Sequence, residues 1–355
     1  MVAIYPDVHV EERKKQTSTG RAGLLNNILL IGAFDTLETN PQLFMNVDEA
    51  QNALGTDETY NGCKVLPILF TSGTLLAVNT TTENEGQREK TVTTAKLSEA
   101  LAKVKGEDFD MVFVAESLTD DAIVILDSFL DEMEEMKLPA GYINGFTRAN
   151  AAAYVTTAGL AGKHTYGLLT QALTVNGESL DLLESAAYYA SVIDDMHVGK
   201  SMTMKEVPGV TGVSPELTFE FNKTTGAALT DGAKLMAAGI TTIKAQNRRS
   251  GKFVVVNSEQ PDGLDLYVNR VRDYVIKEMA LHKFLGDRNR TPSHDEVIQE
   301  LDRVKYTCID TMDLLKDIIY SVEKEDEKTV GVIIDILKFD GIITRVNVYY
   351  TIEVE

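Results

Sequence analysis

The side chains that do chemistry in proteins are few in this chain and poorly spaced for it. Its five histidines, His9, His164, His197, His282 and His294, are scattered, and none pairs with another at the i, i+4 step that sets two imidazoles on one helix face. The two cysteines, Cys63 and Cys308, lack the paired spacing of a zinc or redox site. They read as buried thiols in a reducing compartment or in a protein indifferent to redox. No G-x-x-x-x-G-K-S/T, no G-x-G-x-x-G after a strand, no H-E-x-x-H and no G-x-S-x-G occurs. The run Pro208 to Ser214 (PGVTGVS) could imitate a phosphate loop, but no lysine follows at the needed step, and it reads as an ordinary loop. The pair Asp194 and Asp195 falls near a predicted helix end. These residues predict no catalytic set, no metal ligands and no cofactor, and the chain reads as a non-enzyme. An α/β enzyme or nucleotide-binding module with dispersed site residues, or another oligomeric shell protein, stands as the alternative.

Charge restricts the partners. With 54 acidic and 34 basic residues the net charge is −20, which excludes coating a nucleic acid, because that requires clustered Lys and Arg to displace counterions. Lys244, Arg248, Arg249 and Lys252 form the one compact basic patch, suited either to an electrostatic contact with an acidic neighbour or to a solvated loop. The mixed run Glu323 to Lys328 (EKEDEK) reads as a solvated connection, or as the acidic contact for that patch.

The elements that would position any site follow from periodicity. Ile28 to Gly32, Leu75 to Asn79, Met111 to Ala115 and Tyr142 to Asn144 are short apolar runs separated by helical stretches, the pattern of an α/β layer with a mainly parallel sheet. In Asp120 to Lys137, Ile123, Leu126, Leu130, Met133 and Met136 recur at three- and four-residue steps, so Asp121, Asp127, Asp131, Glu134 and Glu135 read as a solvated helix face and not as metal ligands. Past Lys252 a second organisation begins. FVVVN is a buried strand, Leu264 to Leu285 is helical, and Pro292 to about Tyr320 is helical again, with Thr291 as its cap.

The two ends are strands. Val2, Ile4, Val8 and Val10 alternate with Tyr5, Asp7, His9 and Glu11, with Pro6 confining this strand to an edge, and the polar stretch Glu12 to Gly23 is a linker to the body. At the other end, Val330 to Leu337, a turn at Lys338 to Gly341 and Ile342 to Glu355 form a hairpin. In its last strand Val346, Val348, Tyr350, Ile352 and Val354 share one face. If Val330 to Leu337 pairs with Ile342 to Tyr349, the last six residues project beyond their partner. Open strand edges invite pairing with another chain, so the ends predict an assembly subunit. No run approaches the roughly 18 apolar residues of a membrane helix, and the N-terminus lacks the order of a signal peptide, which predicts synthesis in the cytoplasm and no membrane insertion.

These residues resemble the contractile tail sheath family of phages, R-type bacteriocins (the diffocin sheath among them) and related injection machines. YPDVHVEE at the start, HVGKSMTMKEVPGV (His197 to Val210) after the small-residue-rich helix Leu180 to Met196, GITTIKAQNRRSGKFVVVN (Gly239 to Asn257), VNRVRDYVIK (Val268 to Lys277) and the terminal strand carry the likeness. Asn257 and Ser258 stand where many phage sheaths have a tryptophan-containing motif, and this chain has no Trp. The resemblance implies an α/β fold with an α+β inner domain, in a two-domain subunit carrying extended arms. Residues 1–22 are an N-terminal arm and linker, 23–242 an inserted outer α/β domain, 243–343 an inner domain and 344–355 a C-terminal β-strand arm. It further implies self-assembly into a helical homo-oligomer by strand exchange. The partners would be an inner tail tube protein, baseplate and tail-terminator proteins, in a phage tail or bacteriocin particle released from the bacterial cytoplasm by lysis. Val2, Ile4, Val8, Val10, Val346, Val348, Tyr350, Ile352 and Val354 would be the arm contacts.

Overall fold

The computed structural model describes residues 27–70, 73–84, 86–247, 250–280, 292–324, 329–339 and 343–353. They fall into two compact units, one ending at Ile276 and the other beginning at Lys277.

In the first unit the chain forms β1 (Asn27–Gly32), β2 (Gln42–Phe44), α1 (Val47–Leu54), α2 (Asn61–Leu69), β3 (Thr74–Asn79), β4 (Thr82–Asn84), β5 (Gln87–Glu89), α3 (Thr94–Lys103), β6 (Met111–Val114), α4 (Asp120–Glu135) and β7 (Gly141–Gly145). There follow α5 (Ala151–Ala158), β8 (Thr165–Leu169), β9 (Ala172–Val175), β10 (Glu178–Ser179), α6 (Leu182–Asp194), β11 (Val210–Ser214), α7 (Asp231–Ala237), β12 (Ile243–Ala245), β13 (Phe253–Val255) and α8 (Leu266–Met279), whose last turn enters the second unit. Six strands make the main sheet in the order β2-β3-β1-β6-β7-β8, parallel throughout except for the edge strand β2. Helices follow β1, β3, β6 and β7, so both faces are covered. For that reason β1 and β6 are apolar at every position from Ile28 to Ile31 and from Met111 to Val114. The four strands expected from apolar runs are all present.

Helix α4 shows how the layer is held. Thr119 caps it by accepting from the Ala122 amide, and Ile123, Leu126, Leu130 and Met133 are buried in the core with Phe109, Val112 and Tyr142. Met136, expected on the same face, lies just past the last turn and is largely exposed.

The strand order reverses between β1 and β6, where an open parallel sheet usually offers a ligand crevice at the carboxyl ends of its strands. On the β3 side of that point the turn after β1 is closely packed by the protein itself. Phe34 is wholly buried, and its amide donates to Asn79 Oδ1 (3.1 Å) and Thr81 Oγ1 (3.0 Å). The Gly62 amide donates to the Ala33 carbonyl at 3.0 Å, and a Cβ on Gly62 would lie 2.5 Å from that oxygen.

The expected boundary at 242/243 differs from the observed division at 276/277. Thr241 bridges Leu169 beside β8, and β12 and β13 pair within the first unit. Helix α8 is tied there by buried polar groups: Arg270 Nη2 donates to the Met196 carbonyl (2.9 Å), Arg272 Nη2 to the Lys163 carbonyl (3.2 Å), and Tyr166 Oη to Asp273 Oδ2 (2.7 Å). Apolar periodicity carries no trace of bonds like these.

Candidate assembly interface

The second unit is built on α9 (His294–Tyr306), a π-helical turn at Thr307–Thr311, and the strands β14 (Asp317–Lys324), β15 (Thr329–Lys338) and β16 (Ile343–Glu353). The helix is capped by Ser293, whose hydroxyl accepts from the Glu296 amide while Glu296 reaches back to the Ser293 amide. Thr291, the expected cap, lies outside the described residues. The helix also ends earlier than expected: Asp317 to Tyr320 are strand, not helix. Asp313, with φ +49°, turns the chain back after the π turn.

The three strands form an antiparallel sheet in the order β14-β15-β16. One face carries Ile318, Val330, Val332, Ile334, Leu337, Val346 and Val348, all buried. Buried Val297, Leu301 and Val304 recur along α9 at four- and three-residue steps. Polar bonds tie α9 to β14. Lys305 Nζ lies 2.8 Å from Asp317 Oδ1 and donates to the Ile318 carbonyl at 2.8 Å, while Tyr320 Oη donates to Asp302 Oδ1 at 2.5 Å. The Lys305 ammonium holds the Asp317 carboxyl below the usual carboxylate range, with Lys338 adding to the effect. Lys305 takes up one carbonyl of the β14 edge. On the far side of β16, no strand is paired among the described residues.

The register overturns the expected overhang. Val330 pairs with Ile352, Val332 with Tyr350 and Thr329 with Glu353, so β16 is matched by β15 to the end of its described length. Three causes act together. At the turn Leu337 pairs with Thr344 and not with Ile342, a bulge sets Val346 and Asn347 opposite Asp335, between the pairs Ile334–Val348 and Ile336–Arg345, and strand β15 begins one residue earlier than the apolar run suggests. The β14–β15 ladder is irregular at the same residue.

Of the expected arm residues, Val346 and Val348 are buried in their own unit, Ile352 is half-buried, and Tyr350 is placed by its register opposite Val332. Tyr349, which sequence reasoning placed on the polar face, is 51% exposed. Val2, Ile4, Val8, Val10 and Val354 lie outside the described residues, as do Arg248 and Arg249. Lys252 is paired with Glu206 at 2.5 Å, and Lys244 lies 5.4 Å from the centroid of the Phe219 ring.

Folding also assembles a cluster that was not visible in the sequence. His164, ahead of β8, lies beside Asp131 and Glu134 of α4: its Nε2 is 3.1 Å from Asp131 Oδ1 and 3.6 Å from Glu134 Oε2. Lys163 Nζ lies 3.1 and 2.9 Å from the same two oxygens. Burial pushes the His164 imidazole below its usual pKa. Only the i, i+3 step of the two acids is local, and a solvated helix face shows the same step.

The fold is that of contractile tail sheath proteins. A sheath tail protein from Desulfitobacterium hafniense superposes with a TM-score of 0.67 at 12% identity, covering 99% of this chain and 100% of that one. A sheath tail protein from Listeria innocua gives 0.62 at 12% identity over 94% and 96%. The helical sheath of the anti-feeding prophage in its contracted state gives 0.54 at 15% identity over 99% and 96%. No family model matches the sequence, and no curated protein matches it.

Proposed function

We propose that this chain is a structural, non-enzymatic subunit of a contractile tail sheath, polymerising by inter-subunit β-strand pairing into a helical tube around an inner tube. Contraction of that tube would drive the inner one through a target cell envelope. The observation that carries the reading is the extent of the structural likeness: sheath tail proteins superpose from one end of the chain to the other, with both units included. The edge of β16 away from β15, where no strand is paired among the described residues, supports it, since such an edge can take a neighbour's strand.

Residues 1–22 and 344–355 act as the arms in this reading, and the end of the second arm, past the buried Val346 and Val348, is held by its own sheet only weakly. Ordering Tyr350 to Glu353 costs about 4 to 8 kcal/mol of backbone entropy. About four ladder hydrogen bonds and the half-buried Ile352 contribute about 5 kcal/mol. A strand end so closely balanced can leave its own sheet for a neighbour's at little net cost. A subunit held by several such links then gains from effective concentration, which makes assembly cooperative.

The partners are further copies of the chain, an inner tube protein, and baseplate and terminator proteins, in a particle made in the bacterial cytoplasm and released by lysis. The basic residues Lys244, Arg248, Arg249 and Lys252 are the electrostatic contacts of this reading. Negative-stain electron microscopy of the purified protein tests the proposal. Tubes or ring fragments are the expected result, and a monomer at every concentration and salt condition, together with saturable nucleotide binding, would sink it.

A further inference from the structure

The cluster on α4 has the geometry of a metal site. A tetrahedral zinc ion bound at about 2.0 to 2.1 Å by nitrogen and oxygen sets its ligand atoms about 3.3 Å apart. His164 Nε2 lies 3.1 Å from Asp131 Oδ1 and 3.6 Å from Glu134 Oε2, which brackets that edge, and all three ligand atoms lie within 4.8 Å of one another. A solvated helix face does not bring a buried imidazole into this position.

The ligands differ in how firmly they are held. His164 is 1% exposed, and Asp127 Oδ2 accepts from the Gly162 amide at 2.8 Å, which fixes the segment ahead of it. Nδ1 of His164 is buried without a hydrogen-bond partner, so either neutral tautomer leaves that nitrogen equally unpaired. Metal binding at Nε2 moves the proton to Nδ1, giving up the 3.1 Å hydrogen bond to Asp131 Oδ1 and leaving the Nδ1–H donor without a protein acceptor, a cost the metal bonds must offset. Glu134 Oε2 is likewise buried without a well-aligned hydrogen bond, although Lys163 Nζ is 2.9 Å away. Asp131, with its side chain 58% exposed, leaves the mouth open to solvent.

Lys163 now occupies the place of the ion. Its ammonium touches both carboxylates, yet its side chain is 43% exposed and can swing into water, while its main chain stays held by Arg272 through the Lys163 carbonyl. We propose that Asp131, Glu134 and His164 form a site for a zinc-class divalent cation, in which the ion displaces the Lys163 ammonium and staples α4 to the segment before β8. The imidazole selects zinc over magnesium and calcium, which prefer oxygen ligands. The fourth position is open to water.

The test uses the full chain, stripped of metal and titrated with Zn²⁺ against a chromophoric chelator, with Co²⁺ as a spectroscopic stand-in. One Zn²⁺ per chain, visible Co²⁺ bands of tetrahedral intensity and no competition from millimolar Mg²⁺ are expected. Lys163→Met removes the tethered competitor and should tighten binding by about tenfold or more, the scale at which shell residues act on metal affinity. Asp131→Asn, at an exposed position that leaves folding intact, should weaken binding by a similar factor, and His164→Gln should abolish the Co²⁺ bands. No stoichiometric binding by the wild-type chain, or unchanged affinity in both Asp131→Asn and Lys163→Met, overturns the proposal. None of these readouts depends on tube formation.

Discussion

Deletion of Tyr350 to Glu355 separates the two roles that the end of β16 can have. In the structure this segment is the partner of Thr329, Val330, Gly331 and Val332, so its removal uncovers one end of β15. About four ladder hydrogen bonds at about 1 kcal/mol each are lost, with about 1 kcal/mol from the half-buried Ile352. Against this, freeing four ordered residues regains about 4 to 8 kcal/mol of backbone entropy. The difference lies within about 3 kcal/mol of zero, so the truncated chain should stay folded, with a melting temperature near that of the full chain. Assembly should respond differently, because every link along the tube loses its strand and small losses multiply over a lattice. Thermal unfolding by circular dichroism measures the first effect; sedimentation velocity and negative-stain microscopy measure the second. Normal tubes from the truncated chain would refute the reasoning, and so would an unfolded or insoluble monomer, which would make the strand end part of the unit's core.

Three further changes have definite expected outcomes. Burial pushes the Asp127 pKa up to about 6 from an ordinary value of 3.8, so its carboxylate destabilises the fold above pH 6 by at most about 3 kcal/mol, and this penalty vanishes as pH falls from about 6 to below 4. Asp127→Asn should therefore stabilise the protein at pH 8, with a gain that shrinks to nothing near pH 4, as followed by urea unfolding at each pH. Gly62→Ala would place a Cβ 2.5 Å from the Ala33 carbonyl oxygen and 2.7 Å from the Phe34 ring, costing about 1 to 3 kcal/mol in chemical denaturation of the first unit. Val348→Pro removes the amide of a residue that pairs with Ile334 next to the bulge and should lower the melting temperature of the second unit, in addition to blocking tubes in microscopy.

The parts legible in the sequence are those set by local pattern. The buried parallel strands announce themselves as apolar runs, and the buried face of α4 as a three- and four-residue recurrence. Where a pattern is shared by two structures, the reading goes astray. Leu314, Leu315, Ile318 and Ile319 continue the spacing of the preceding helix, yet the positive φ of Asp313 turns the chain before them and Asp317 to Lys324 becomes β14. Asp335 looks like an ordinary outward residue of an alternating strand, and nothing local marks it as the residue opposite a bulge. Helix α8 falls beyond the expected 242/243 boundary by periodicity, whereas its fixings to the first unit are polar: Asn269, Arg270, Arg272 and Asp273 are all buried, where a periodicity argument counts them as exposed.

The assembly surface is hard to read for a deeper reason. In the proposed assembly β16 would offer a neighbour the backbone edge away from β15, where no strand is paired among the described residues, and any sequence of adequate β-propensity presents the same row of N–H and C=O groups. Val346 and Val348, the residues that made the strand recognisable, face inward and hold the sheet to its own unit. On that reading the edge depends on strand length and on the bulge opposite Asp335, and only weakly on residue identity. The same argument predicts which substitutions matter. Changes at exposed Tyr349 should be tolerated in tube formation, whereas a proline anywhere between Val348 and Ile352 should not be.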